Sequence, residues 1–503
     1  MPEFLLRQRW YPAKDAGRPE VSVRALEPIA VPDGIPAAAG VWRVQPPGRA
    51  PLHLFVAVAL VPEDSADPSQ VIARLPATGG EAARVLVEGF SSDAFTRAWV
   101  AMLLHDTPVG AGTRLRSGRT AQLEQAGLRP DGQWRIRRSS AEQSNTSIRI
   151  DDGAIMKAIR KLEEGTHPEL EVGRFLTGEG AFAGTPAMLA WADLELPAQG
   201  GTATYTLCVM QSFVANQGDA WEWMLRKLAA ATDQDDAALA QAGAWLERLG
   251  ERTAQMHRAF GIASQDPAFV PELVSDEDLQ GWTAAVHEME QRVLERLDAA
   301  GQRLDATAQA LVETLKANRS RLSTRVDDLL RSPQWRFAKT RHHGDYHLGQ
   351  VLVAGDDAVI VDFEGEPMRP LAERRAKHAP LRDVAGLLRS VSYAAAAATR
   401  ALPEEMAAAQ RQQATGRLEA WEREAAQRFL DAYLRSAEGT PGCPAERADA
   451  ERLVRFFMLE KALYEVTYEL ANRPAWVDIP LRGILQAIND AGDAATSIKG
   501  ATT

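Results

Sequence analysis

The sequence predicts an α+β chain of two lobes, one small and β-rich, the other large and mainly helical, behind a further strand-rich N-terminal segment. Three observations carry this. Up to Met210 the chain reads chiefly as strands separated by Pro, Gly and Asp clusters. After Gly218 apolar residues recur at i, i+3 and i+4. One short β-like stretch, 337–363, interrupts that helical half, and strands segregated from helices indicate α+β rather than α/β.

The elements follow in order. Val21–Leu26, Gly40–Val44 and Leu52–Val61 are predicted strands, rich in β-branched and apolar residues. Ser91 or Ser92 caps a helix to about His105, with Phe95, Trp99 and Met102–Leu103 at helical spacing. Strand signals return at Gln133–Arg138, Thr146–Ile150, Ala154–Ile159 and Tyr205–Gln211. A helix at Pro168–Leu176 interrupts them, its proline suited to the first helical position and its glutamates to the dipole. Helices are then predicted at Trp221–Ala231, Ala237–Ala259, Asp276–Ala300 and Thr307–Leu330, and after the β interlude at Leu381–Ala397, Glu405–Leu434, Ala448–Asn472 and Leu481–Ile498. The run Ala394–Ala398 reads as helix propensity alone. This organisation divides the chain into an N-terminal segment 1–105, a small lobe 106–213 and a large lobe 214–503.

Composition narrows the function. A chain of 503 residues exceeds one core, at ~100–200 residues per domain. The net charge of -11 speaks against a non-specific nucleic-acid binder. The cysteines Cys208 and Cys443 exclude a disulfide scaffold and fit a reducing cytoplasm. No apolar run approaches the ~20 residues of a membrane helix, and the residues after Met1 do not read as a signal peptide, so a cytoplasmic enzyme is expected.

The strongest chemical signal is His343-Gly344-Asp345-Tyr346-His347-Leu348-Gly349-Gln350, followed by Val361-Asp362-Phe363-Glu364-Gly365-Glu366. Both lie on loops beside the apolar strands Val351–Val353 and Val359–Val361. Phosphoryl transfer needs a carboxylate at the acceptor hydroxyl, and acids or an amide to hold magnesium on the phosphates. Asp345 with Gln350 five residues on copies the H-R-D-x-x-x-x-N layout, Gln standing for Asn. Asp362-Phe363-Glu364-Gly365 occupies the place of D-F-G with one residue inserted, and Glu364 or Glu366 can line the site. A competing reading makes His342, His343, Asp345 and His347 a metallophosphatase-like cluster, but no Gly-Asn-His triplet supplies a second metal.

The small lobe offers the nucleotide half. Ala154-Ile155-Met156-Lys157 mirrors the V-A-I-K strand, whose lysine reaches the α/β-phosphates, and Glu169 or Glu171 can pair with it. The turn Gln143–Ser147, including Ser144, Asn145, Thr146 and Ser147, lacks a glycine fingerprint but offers hydroxyl and backbone N–H groups to phosphate. Val209–Phe213, with Gln211 and Phe213, has the apolar character of an adenine-binding hinge. Near the end Lys461, Tyr464, Glu465, Tyr468 and Asn472 share one helical stripe, a suitable lining for a sugar.

Taken together these segments closely resemble the maltokinases, ATP-dependent sugar kinases related to aminoglycoside phosphotransferases and, more remotely, to protein kinases. The resemblance spans nearly the whole chain. It includes Gln8-Arg9-Trp10-Tyr11-Pro12-Ala13-Lys14, Glu142–Ser147, Pro168–Leu176 and Asn216-Gln217-Gly218-Asp219-Ala220-Trp221. It continues through the two catalytic segments, Pro380–Gly386, Lys461–Glu465 and Asn472-Arg473-Pro474 with Trp476. It implies a bilobal protein-kinase-like fold preceded by a cap subdomain, and transfer of the γ-phosphate of ATP to the anomeric hydroxyl of maltose, giving maltose 1-phosphate for α-glucan synthesis. By position it implies Asp345 as catalytic base; Gln350, Asp362 and Glu364 on magnesium; and Lys157, Glu171, the Gln143–Ser147 turn, Gln211 and Phe213 around ATP. His347, Lys461, Tyr464 and Tyr468 then face the sugar, and Asp383 braces the catalytic loop. The start departs from the commoner Trp-Phe-Gly-Ser-Lys-like run, and similar sequences include glucosamine kinases and kinases fused behind a trehalose synthase. A trehalose synthase or maltosyltransferase is the partner this implies. Another small sugar such as glucosamine is the alternative acceptor, and a silent ATP- or sugar-binding module the alternative class; intact Asp345, Gln350, Asp362 and Lys157 speak against the latter.

Overall fold

The computed structural model describes residues 1–75, 83–105, 114–129, 132–139, 144–198, 200–231, 236–331, 335–367 and 369–489. The chain is α+β, as the sequence predicts, and divides into two compact units. The first comprises Met1–Gly178 and Pro186–Val214; the second comprises Glu179–Thr185 and the described residues from Ala215 onward.

The first unit is built on two antiparallel sheets. One runs in the order Lys161–Leu162, Leu52–Phe55, Ala37–Gln45, Val58–Pro62, Arg84–Glu88 and Val71–Leu75, with Glu20–Pro28 also paired to Ala37–Gln45. The predicted strand Leu52–Val61 is therefore two strands, broken at Val56–Ala57; both halves pair with Ala37–Gln45, and they differ in their second partners, Lys161–Leu162 and Arg84–Glu88. The other sheet runs Leu115–Arg119, Met188–Ala198, Gly201–Ser212, Ala154–Ala158, Thr146–Ile150 and Ile136–Arg138. The helix Asp93–His105 buries Phe95, Trp99, Val100 and Leu103. Phe55, Phe90, Trp99, Ile148, Met156, Leu189 and Leu207 belong to one core, so residues 1–105 and the later strands share their hydrophobic interior. Arg160 is a charged residue buried beside it. It is 2% exposed, ion-paired to Glu88 at 3.0 Å, and lies 5.0 Å over the Trp10 ring.

The second unit is mainly helical. Asp276–Ala300 spans the predicted residues because Ser275 and Asp278 form a capping box and Gly301, at φ 47°, ends it. The predicted Thr307–Leu330 is two helices, Ala306–Ala317 and Arg319–Leu330, parted at Asn318. The long helices Asp236–Phe260, Leu381–Arg400, Ala408–Ala437 and Arg447–Asn472 bury Leu249, Val384, Val391, Phe429 and Leu463 between them. Against them lies the hairpin Val351–Ala354 with Asp357–Ile360, which holds the catalytic-loop candidates rigidly. The predicted helix Leu481–Ile498 begins earlier, at Asp478, and residues 490–503 lie outside the described residues. Among the described residues no helix is long and apolar enough to cross a membrane.

Candidate active site

In the first unit, Lys157 sits mid-strand, opposite Ser147 on one neighbour and Val209 on the other. Its Nζ lies 2.9 Å from Glu169 Oε1, and Glu169 is 1% exposed. Of the two acids the sequence offered, Glu169 and Glu171, the ion pair is made by Glu169. Residues two apart on a helix point to different sides, and Glu169 is the one turned toward the strand.

The turn before that strand packs on Arg160. Arg160 donates from its backbone N–H to Asn145 Oδ1 at 3.3 Å and from Nε to Thr146 Oγ1 at 2.9 Å. Ser147, on the strand Thr146–Ile150, is 2% exposed. The side chains expected to meet phosphate are therefore engaged with Arg160 or turned inward, and only Ser144 is exposed. Glu142 and Gln143 lie outside the described residues. Gln211 is buried in the ladder opposite Ile155. The Phe213 ring carries the Arg149 guanidinium 3.6 Å from its centroid.

In the second unit the catalytic-loop candidates converge. Gly344 takes φ 83°, a left-handed conformation that lets the chain turn so that Asp345 follows. His343 is buried; its Nε2–H donates to Val361 O at 2.9 Å, and its Nδ1 accepts from the Asp345 N–H at 3.4 Å. Behind the loop, the Asp383 carboxylate accepts the N–H of His343 at 2.7 Å and of Gly344 at 3.0 Å. Burial opposes that charge, but His257 and the neighbouring histidines hold Asp383 well below the usual carboxylate range. Gly386, one turn along the same helix, must lack a side chain: a Cβ there would meet Tyr346 O at 2.8 Å.

Gln350 Nε2 donates to Asp362 Oδ2 at 3.0 Å, and carboxylate oxygens of Asp362 and Glu364 lie within 4.8 Å of each other. A set of hard oxygen donors of this kind fits magnesium, with Gln350 Oε1 directed away from the bond its amide nitrogen makes. Asp362 itself adopts φ 69°, tolerated by Asp better than by bulkier residues.

A crevice of about 30 Å³ opens beside Asp345, with Tyr346, Glu366, Arg369, Lys461 and Tyr464 in its walls. Lys461 Nζ is 3.1 Å from Glu366 Oε1 and 4.7 Å from the centre of the Tyr464 ring. Burial alone would raise Glu366, yet Lys461 and Arg369 hold it down to about 2. Burial works against the Lys461 charge, but Glu366 and Asp345 outweigh it and raise the lysine above its ordinary value. His347 caps the 348–350 turn through Nδ1, which accepts from Gly349 N–H, and its Nε2 lies 3.9 Å from Asp345 Oδ2. Burial lowers its pKa. Tyr468 is not brought to the crevice: it is 45% exposed, and Arg473 covers its ring. The helical rise of ~1.5 Å per residue carries it on the order of 10 Å beyond Lys461, although the two share a stripe.

A second crevice of about 240 Å³ adjoins the first, sharing Gly344, Glu366, Arg369, Arg382 and Glu460 with it and adding Trp282. Arg382 and Glu460, ion-paired at 2.9 Å, and Arg369 were not singled out from the sequence. Their signal was adjacency: Arg382 precedes Asp383, and Glu460 precedes Lys461 and stands one turn before Tyr464.

No family model matches the chain. It is 26% identical over 345 residues to the glucosamine kinase of Streptacidiphilus jiangxiensis, covering 67% of this chain and 70% of that one. It is 27% identical over 361 residues to the glucosamine kinase of Mycolicibacterium smegmatis, covering 70% and 79%. Among solved structures it is similar to a glucosamine kinase in crystal form B, with TM-score 0.65, 21% identity and 97% of each chain covered. A glucosamine kinase in complex with glucosamine, ADP and inorganic phosphate matches with TM-score 0.62, 21% identity and 93% of each chain covered. The structural likeness establishes a kinase-like fold, and the sequence relatives support a phosphotransferase.

Proposed function

We propose that the protein is an ATP- and magnesium-dependent kinase of a small sugar. The observation that carries this is the meeting of Asp345, Glu366, Lys461 and Tyr464 around one crevice, beside a loop that groups Gln350, Asp362 and Glu364. In this reading Asp345 accepts the proton of the acceptor hydroxyl as its oxygen attacks the γ-phosphorus of ATP. The bond from that phosphorus to the bridging oxygen breaks, and ADP leaves. Lys157, held by Glu169, binds the α/β-phosphates. Asp362, Gln350 and Glu364 would hold magnesium, which would supply neutralisation of the phosphate charge. Lys461 and Tyr464 orient the sugar through a charged hydrogen bond and an aromatic face. Residues 1–105 act as a cap subdomain built onto the small lobe, and dependence on ATP fits the cytoplasm.

The relatives' names support glucosamine, or a sugar like it, as the first acceptor to test. A second reading, maltose phosphorylated at its anomeric hydroxyl, follows from the motif resemblance. The adjoining crevice of about 240 Å³ favours it, since that space suits a second ring. Only this reading brings in a trehalose synthase or maltosyltransferase as partner. The test is phosphorylation of glucosamine, maltose, glucose, trehalose and maltotriose with ATP and magnesium, read as ADP released and as phosphorylated sugar by ³¹P and ¹H NMR. Turnover of one sugar supports the kinase reading and chooses the acceptor; ATP binding without turnover of any sugar refutes it. Asp345→Asn should abolish turnover while nucleotide affinity stays.

A further inference from the structure

Asp383 is gripped from behind as well as from the catalytic loop. His257, on the Asp236–Phe260 helix, places Nε2 3.2 Å from Asp383 Oδ2. Its Nδ1 lies 2.9 Å from the hydroxyl of Tyr433, on the Ala408–Ala437 helix. His257, Asp383 and Tyr433 are all buried. One placement of hydrogens satisfies every group. A carboxylate only accepts, so Nε2 must carry the proton, and Nδ1 then accepts from the Tyr433 hydroxyl. The other tautomer would aim a lone pair at the carboxylate in a site without water access. Burial keeps Tyr433 a neutral hydroxyl donor, far above its ordinary range.

The same helix makes a second contact one turn earlier. Thr253 Oγ1 lies 2.8 Å from the Tyr346 hydroxyl. Thr253 and His257 are i and i+4 on one face, so a single rigid strut reaches the residue after Asp345 and, through Asp383, the two residues before it.

We propose that His257, with its tautomer set by Tyr433, is a positioning residue for Asp345, acting through Asp383 on the amides of His343 and Gly344. This rests on the kinase reading, in which Asp345 meets the acceptor. Without His257 the carboxylate keeps two donors in place of three and is free to rotate, and the loop that aims Asp345 loosens with it. A misplacement of ~1 Å can cost roughly 100-fold in rate while binding is little affected.

The experiment compares the full-length protein with His257→Ala, His257→Gln and Tyr433→Phe. His257→Ala should lower kcat by about 10- to 100-fold with KM for ATP and sugar unchanged. His257→Gln, which can still donate to Asp383, should recover part of that loss. Tyr433→Phe, which keeps the ring and fills the same space, should lower kcat less than His257→Ala. ¹⁵N-histidine NMR should find His257 protonated at Nε2 in the wild type and as a tautomer mixture in Tyr433→Phe. Folded His257→Ala with wild-type kcat, an Nδ1-protonated ring in the wild type, or parallel loss of kcat, KM and thermal midpoint in all variants would overturn the proposal. If the wild type phosphorylates no sugar, the kinase reading falls separately. The tautomer and the hydrogen exchange of the Gly344 amide then still decide whether His257 holds the loop.

Discussion

Replacing Asp383 by Asn changes almost no volume and isolates what the carboxylate does. In the wild type Oδ1 accepts from Gly344 N–H at 3.0 Å, and Oδ2 accepts from His343 N–H at 2.7 Å and His257 Nε2–H at 3.2 Å. The amide keeps one acceptor oxygen. Set in the Oδ2 position, it retains two donors, but these bonds fall from charge-assisted, about 1.5–3 kcal/mol each, to neutral, about 0.5–1.5 kcal/mol. The NH₂ group then faces the Gly344 N–H and leaves a buried donor unpaired, costing about 1–3 kcal/mol more. The sum is a loss of roughly 3–6 kcal/mol, to be read as a lower urea midpoint at unchanged slope, alongside a fall in kcat. The dependence on pH gives an independent check. The native carboxyl is held below its unfolded value of about 3.9, so its stabilisation is fully present above that value and is lost as the pH falls through the lowered native pKa. The wild type's advantage over Asp383→Asn should therefore narrow once the pH drops below about 4. A stability change under about 1 kcal/mol at neutral pH, or an advantage that grows with acid, would refute the assignment of Asp383 as the ionised anchor of the loop.

Lys157→Met should weaken nucleotide binding and also destabilise the first unit, because it removes the cation paired with the buried Glu169 carboxylate, at a cost of about 3–5 kcal/mol. Adding Glu169→Leu should return most of the stability and none of the nucleotide affinity, separable by urea unfolding and by titration with a fluorescent ATP analogue. Arg160→Met should cost a similar ~3–5 kcal/mol, since Glu88, buried at 3.0 Å from it, loses its partner. Stability within about 1 kcal/mol of the wild type would contradict that structural role. Chelation of divalent ions with EDTA should abolish turnover and added magnesium should restore it. Asp362→Gly should remain inactive at any magnesium concentration but keep near-wild-type stability, because glycine adopts φ 69° without strain. A large loss of stability in Asp362→Gly would mean that the Gln350 bond matters more to the fold than the backbone strain does.

The parts of this fold legible in the sequence are those set by neighbours along the chain. Asp276–Ala300 is bounded by its own capping box and a following glycine, and the 351–360 hairpin alternates apolar residues around a tight turn. The strand Met188–Ala198 escaped notice because its Ala, Leu and Glu residues have no β preference. It is a strand because it lies between Leu115–Arg119 and Gly201–Ser212. Asn318 parts two helices inside an unbroken apolar periodicity, where the only local sign was a residue that competes with helical hydrogen bonding. At the site, the residue types at Asp345, Gln350, Asp362 and Lys157 could be read, but their companions could not. Arg160 reaches Asn145 and Thr146 locally but Phe55 and Glu88 from 105 and 72 residues away, and that distant packing turned the Asn145–Thr146 turn inward. Glu460 meets Arg382 across 78 residues.

The segments carrying Asp345 and Asp362 depart from the kinase pattern in the same direction, with Gln for Asn at 350 and an extra residue, Glu364, before Gly365. Local sequence therefore does not keep the two acids in register; His343 does. Its backbone N–H ends on Asp383, its Nδ1 takes the Asp345 N–H, and its Nε2–H holds Val361 O, immediately before Asp362. Its ring packs 4.8 Å from Phe363, which in turn packs on Phe260 of the strut helix. Gln350 closes the circuit from the other side, through its side chain to Asp362 and its carbonyl to the Val361 N–H. Two loops bound to one buried imidazole and one amide move as a single piece. The inserted Glu364 is held as well, its carbonyl by Arg374 at 3.1 Å and its N–H by Asp362 O at 2.8 Å, so the insertion leaves the spacing between the two acids to the His343 anchor.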